Sequence, residues 1–341
     1  MTAKPKPLNL ALQGGGSHGA FTWGVLDRLL EDGRISIDGI CGTSAGAMNA
    51  IVCAWGHMQG GSERARATLT DFWRKISAAG ERYSPVRNSP FDAFFNGAVR
   101  NSSYAVFDSL TRAFSPYQLN PLNFNPLREI LEEVVDFDRF NGGKGIKVFV
   151  CATNVRTGKP RVFHNQEVTA DAVLASACLP TLFQAVEVAG EHYWDGGYVG
   201  NPAIYPLIYE TASADVLVVH INPFDVAELP RTAGAIMNRV NEISFNSSLV
   251  SEMRAIAFVQ KLIEDGWIKD EFRAQLRNMR MHAIRADADL GHLGQESKLD
   301  PSWAHLTALR DLGRARAAQW LETNFAALGQ HSTIDIRADY L

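Results

Sequence analysis

No stretch of the sequence approaches the ~18 uninterrupted apolar residues that a membrane-spanning helix needs, so no helical membrane span is expected in the 341 residues. Cysteine is scarce. Cys41, Cys53, Cys151 and Cys178 stand singly in apolar segments, with neither CxxC nor a Cys/His spacing that would hold a metal. They read as small buried hydrophobes rather than as ligands or a disulfide framework. Positive charge is not in excess either: 33 Lys and Arg against 37 Asp and Glu leave a formal net charge of -4, far from the basic face that nucleic acid would select. Internal repeats and low-complexity tracts are missing. Residues 1–7 carry two lysines but lead into a short apolar run and then glycines. That is too short and too interrupted for the core of a signal peptide, so a cytoplasmic location is expected.

What remains is the composition of a folded chain, 46% hydrophobic and 21% charged. An apolar run over 8–13 ends in glycines and is followed by helical spacing at Phe21, Val25, Leu26, Leu29 and Leu30. A second run over 37–41 ends in Gly42-Thr43-Ser44-Ala45-Gly46, after which 47–55 continues as a small-residue helix. The runs over 146–152 and 215–221 are apolar and β-branched, as in strands buried on both faces of a mostly parallel sheet. Helical patterns fall at 124–135, 168–178, 236–263 and 303–321, the last with Asp300 expected as its cap and Pro301 at its first position. The architecture is α/β with helices on both faces. Between 83 and 124 the periodicity is lost, and nine aromatics crowd into 42 residues where arginines outnumber acids. This long irregular insertion reads as a cap or acyl-chain wall over a site, or as a cover packed on the core.

Three constellations carry chemistry. The GxSxG pentapeptide around Ser44 follows a strand and opens a helix, a context that places a serine on a tight, exposed turn flanked by the small residues Gly42 and Gly46. The following helix points its N-terminal amides at the same place and favours a developing anion. The run Gly14-Gly15-Gly16-Ser17-His18-Gly19 lies at another strand-to-helix turn, where bare backbone N–H groups can converge as an oxyanion hole. Gly14, Gly16 and Gly19 also satisfy the dinucleotide pattern GxGxxG. A dinucleotide site would want an acid at the end of the next strand, and that place holds Gly42-Thr43-Ser44. The third constellation is Asp195-Gly196-Gly197, by itself an ordinary turn sequence.

In this order, a glycine-rich loop, a GTSAG elbow about 30 residues later and a downstream Asp-Gly-Gly, the chain resembles the patatin-like phospholipases, as a bacterial member. The resemblance spans roughly 8–221. It implies a three-layer α/β/α fold with a mostly parallel central sheet, with 1–230 as the catalytic domain and 231–341 as a helical C-terminal extension on the same core. It further implies Ser44 as nucleophile, Asp195 as the other half of a Ser-Asp dyad, and the backbone of Gly14, Gly15 and Gly16 as oxyanion hole, with Gly42, Gly46, Gly196, Gly197 and His18 as supporting positions. Chain order separates this from the ordinary α/β-hydrolase arrangement, whose elbow serine follows several strands; Ser44 follows two. Two positions depart from the family pattern: Gln13 stands where an acid is usual, and His18 where Arg or Lys is usual. His18 also admits a Ser-His-Asp triad as a rival to the dyad.

The expected activity is lipid acyl ester hydrolysis through an acyl-enzyme, with no cofactor and no metal. The alternatives are hydrolysis of another ester such as a neutral lipid or storage polyester, a nucleotide-binding oxidoreductase, and a non-catalytic lipid-binding scaffold. The expected partners are a lipid or other ester substrate and no nucleic acid, with peripheral contact to a membrane or lipid surface and self-association both left open.

Overall fold

The apolar runs form the centre of an eight-stranded sheet in a computed structural model that describes residues 4–83, 110–111, 113–226, 228–273, 276–291, 293 and 295–341. Its strands are β1 (Lys6–Leu12), β2 (Ile35–Gly42), β3 (Lys147–Asn154), β4 (Pro160–His164), β5 (Val186–Val188), β6 (Glu191–Asp195), β7 (Asp215–His220) and β8 (Arg280–Arg285). They lie in the order β5-β6-β3-β2-β1-β7-β8, with β4 paired to β3 outside that path. The pairs from β3 through β8 along the path are parallel, and β4, β5 and β6 join antiparallel. This is the expected α/β fold with a mostly parallel sheet.

Among the helices are α1 (Gly19–Asp32), α2 (Ala45–Tyr83), α3 (Pro126–Val134), α4 (Ala170–Ser176), α5 (Tyr205–Glu210), α6 (Ala233–Glu264), α7 (Trp303–Asn324) and α8 (Ile336–Tyr340), with further short helices between them. Alternation along the strands divides the core in two. Leu10 and Leu12 of β1 and Leu217 and Val219 of β7 enter one cluster with α1, α2 and α7. Ala11, Val216 and Val218 enter the other with α5, α6 and α8. Helices therefore cover both faces. Helix α1 stops at Gly33, whose φ of 72° supplies the left-handed C-terminal residue that ends many helices. Helix α2 is broken at Gly60 and Gly61, where the dihedrals leave the helical region.

Two expectations are corrected. Region 231–341 is not wholly helical, because Arg280–Arg285 adds a parallel edge strand beside β7. Its sequence, RMHAIR, is short and bounded by arginines, so it lacks the buried β-branched pattern of the central strands. The last long helix begins at Trp303 with Ser302 as its N-cap, and Asp300 instead accepts the Ser302 N–H at 2.9 Å from outside the helix. Most of the aromatic insertion over 83–124, namely 84–109 and 112, lies outside the described residues, and with it the reading of that segment as a cap.

The topology sets up one meeting point. β4 occupies one edge of β3 from Phe149 to Thr153. The other edge is shared: β2 pairs in parallel and ends with Gly42 opposite Val150, while β6 pairs antiparallel and ends with Asp195 opposite Ala152. Two strands running toward each other along one edge deliver their C-terminal residues to the same place.

Candidate active site

Ser44 sits between Gly42, which ends β2, and Ala45, which opens α2, and its φ is 55°. A non-glycine residue in the left-handed region is held there by its surroundings at a cost. Here Gly46 N–H donates to Thr43 O at 2.8 Å, Thr43 Oγ1 donates to Gly200 O, and Ser44 N–H donates to Ser176 Oγ at 2.9 Å. The elbow is thus tied to the end of α4 and to the turn after β6.

Asp195 lies at the head-on approach from β6 and is 2% exposed. Its main chain is fixed by Asp195 N–H donating to Cys178 O at 2.8 Å and by Thr153 Oγ1 donating to Asp195 O at 2.7 Å. Gly197 N–H donates to Oδ1 at 2.7 Å, and Ser44 lines the same cavity as this carboxylate, its hydroxyl close enough to act on it. Burial pushes the Asp195 pKa up to about 7, against the lowering effect of the Gly197 N–H and the Ser44 hydroxyl. A carboxylate that titrates near neutrality beside a serine hydroxyl suits proton transfer.

The glycine loop leaves β1 and runs against the elbow. A Cβ at Gly14 would lie 2.6 Å from Ser44 Cβ, and one at Gly16, whose φ is +60°, would collide with Lys298 O. The loop is clamped by buried amides. Gln13 Oε1 accepts from Ile221 N–H at 3.0 Å and Asn222 N–H at 3.1 Å. Gln13 Nε2 donates to Asn246 Oδ1 at 3.1 Å and Asn201 O at 3.3 Å. Gly14 N–H donates to Asn201 Oδ1 at 2.7 Å, and Asn222 Nδ2 donates to Gly14 O at 2.7 Å. Of the three loop amides named from the sequence, that of Gly14 is therefore directed to Asn201, and those of Gly15 and Gly16 lie outside this clamp. The clamp also explains the first departure from the family pattern: residue 13 must both accept and donate, which an ionised carboxylate cannot do.

His18 does not join Ser44. It is 2% exposed, its Nε2 lies 2.7 Å from Ser297 Oγ, and burial, with smaller contributions from Lys298 and His305, lowers its pKa to about 3. It is absent from the described residues lining the cavity that holds Ser44 and Asp195. That cavity, of about 400 Å³, is bounded by the glycine loop, by Leu179, Leu182 and Phe245 among its apolar residues, and by Lys298. Ser176, Asn222 and Lys298 are among the members of the site that the motifs did not indicate.

Fold and site together define an α/β protein with a serine elbow facing a buried carboxylate across a glycine loop. A family model described as patatin-like phospholipase matches residues 10–208, more than half of the chain. The protein belongs to the patatin-like phospholipase family, whose members are lipid-hydrolysing enzymes. It is similar to the cGAMP-activated phospholipase of Escherichia coli (strain TW11681), with 26% identity over 230 residues that cover 59% of this chain and 55% of that protein. The chain thus spans little more than half the length of that relative. Among solved structures it is similar to VipD from Legionella pneumophila (TM-score 0.43, 17% identity, 94% of this chain and 67% of that one). It is also similar to ExoU in the ExoU-SpcU complex of the Pseudomonas aeruginosa type III secretion system (TM-score 0.36, 15% identity, 95% and 53%). Among the described residues no helix is long and apolar enough to cross a membrane.

Two outcomes follow from this geometry. Gln13→Glu keeps the acceptor to Ile221 and Asn222 but removes the donor to Asn201 and Asn246, so thermal denaturation should show a loss of about 1–3 kcal/mol. An unchanged melting temperature would contradict the clamp. Asp195 has a folded pKa raised above its ordinary value of 3.8. The stability it contributes is therefore fully present below that value and is lost as pH rises through about 7. Asp195→Asn should accordingly be more stable than the wild type at pH 8 by about 1–3 kcal/mol, with the gap closing toward pH 4. A gap independent of pH would show that Asp195 is not held protonated by burial.

Proposed function

We propose that the protein hydrolyses the carboxylic ester of a lipid, with Ser44 as nucleophile and Asp195 as general base. The observation that carries this reading is the elbow Ser44 lining one cavity with the buried carboxylate of Asp195, which feels the Ser44 hydroxyl and whose pKa is raised to about 7. As Ser44 Oγ attacks the acyl carbon, its proton passes to Asp195, and the carbonyl oxygen becomes an anion facing the amides of Gly15 and Gly16. When the tetrahedral adduct collapses, the alcohol leaves with the proton returned by Asp195 and an acyl group stays on Ser44. A water then loses its proton to Asp195 and attacks the acyl carbon, and as the acid is released Asp195 returns the proton to Ser44 Oγ. His18 takes no part, since it is neutral and bonded to Ser297. Leu179, Leu182, Phe245 and Leu299 give the cavity an apolar wall suited to an acyl chain.

Family membership favours this reading over a dinucleotide site. The loop geometry agrees, because the N–H and C=O of Gly14 are both taken by side-chain amides. A non-catalytic lipid scaffold would have no use for a strained serine against a raised carboxylate. Hydrolysis of medium-chain nitrophenyl esters should fall at least about 10³-fold in Ser44→Ala and about 10²–10⁴-fold in Asp195→Asn, with circular dichroism confirming that both fold. Retention of wild-type rates in either variant would refute the dyad.

A further inference from the structure

Within the described wall of the cavity there is one Lys or Arg, and it comes from outside the segment that the family model matches. Lys298 belongs to a short turn, Gln295–Leu299, placed against the glycine loop, so closely that its carbonyl would block a side chain at Gly16. Its Nζ donates to Asn222 Oδ1 at 3.1 Å, and Asn222 in turn donates to Gly14 O. The ammonium is thus fixed relative to the oxyanion loop through one intervening side chain.

We propose that Lys298 is the specificity-determining cation of this site and that it takes the phosphodiester of a bound glycerophospholipid while Ser44 attacks the ester. This rests on the ester-hydrolase reading above. An ammonium carries three N–H donors, and Asn222 accepts one of them. The acid whose charge acts on it, Glu242, is shared with Arg239 at 3.3 Å. Burial drives the Lys298 pKa below the ordinary lysine value despite Glu242, the response of an ammonium held away from water. An uncharged ester gives such a group nothing to bind, whereas a phosphate oxygen gives it a charge-assisted hydrogen bond. Lys298 and the apolar residues line one cavity beside the glycine loop, so the head group and the acyl chain of one lipid would be held by different residues of the same site. His18, where the family pattern has a cation, is buried and neutral. Among the described residues the positive charge of this site therefore enters from the C-terminal region.

The test compares kcat/KM on dioleoylphosphatidylglycerol and dioleoylglycerol, presented in the same neutral detergent micelles, for wild type, Lys298→Met, Lys298→Arg and Ser44→Ala. Lys298→Met should lower the phospholipid-to-diacylglycerol ratio by about tenfold or more, mainly through KM, and Lys298→Arg should restore most of it. An unchanged ratio, whether both substrates suffer equally or neither does, would overturn the assignment. Equal loss would place Lys298 with the oxyanion or the loop instead. Inhibition of diacylglycerol hydrolysis by inorganic phosphate, weaker in Lys298→Met but without any shift in the substrate ratio, would assign the cation to a free anion and also overturn the head-group role. Failure of the underlying reading looks different: activity on both lipids would persist in Ser44→Ala, and the proposal would fall with it.

Discussion

Along one edge of β3, residues 147–150 are taken by β2 and residues 152–154 by β6, and because these strands run toward one another their C-terminal ends meet. Everything chemical about the site depends on that shared edge. β2 delivers an elbow and a serine, β6 delivers a carboxylate and a glycine turn, and neither needs a long loop to reach the other. The turn after β6 then closes the arrangement, with Gly197 N–H on the Asp195 carboxylate and Gly200 O accepting from Thr43. A rigid sheet edge is a better support for a proton-transfer pair than mobile loops, because the donor and acceptor are set by ladder register.

The same edge imposes a cost that the fold carries. Asp195 is sealed from water, and Ser44 is kept in a backbone conformation it would not choose. Both are tolerable because the surroundings are over-determined: the amides of Gln13, Asn201, Asn222 and Asn246 lock the glycine loop from behind, and Ser176 pins the Ser44 N–H. The proposed catalytic usefulness of a carboxylate that titrates near neutrality and its burden on stability thus have one origin, the exclusion of water by the packed ends of β2, β3 and β6.

Much of this was legible in the sequence, for identifiable reasons. β1, β2, β3 and β7 are buried on both faces, so their apolar runs announce them; Ser44 and the glycine loop stand at the ends of two of these runs. β6 gave no such signal, since Glu191-His192-Tyr193-Trp194-Asp195 is largely polar, and only the following glycines marked it. β8 was hidden because an edge strand of six residues flanked by arginines lacks the pattern of a central one. Gln13 and His18 were visible as departures from the family pattern, but their meaning was not. Gln13 acquires its role from Asn246 and His18 loses one to Ser297, partners more than 200 residues away. Lys298 lay in plain view ahead of the last helix, and nothing local shows that this turn packs on the glycine loop. Contacts of that kind are products of topology, and a linear reading of periodicity and motif does not reach them.

The central claim is that Asp195 activates Ser44, and it is tested most directly by the rate at which a fluorophosphonate labels the protein as pH is varied, with the modified residue located by mass spectrometry. Labelling should fall on Ser44, rise with pH through about 7 as Asp195 ionises, and become slow and nearly pH-independent in Asp195→Asn. Labelling of another residue, or a rate on Ser44 that ignores both pH and the loss of the carboxylate, would contradict the account.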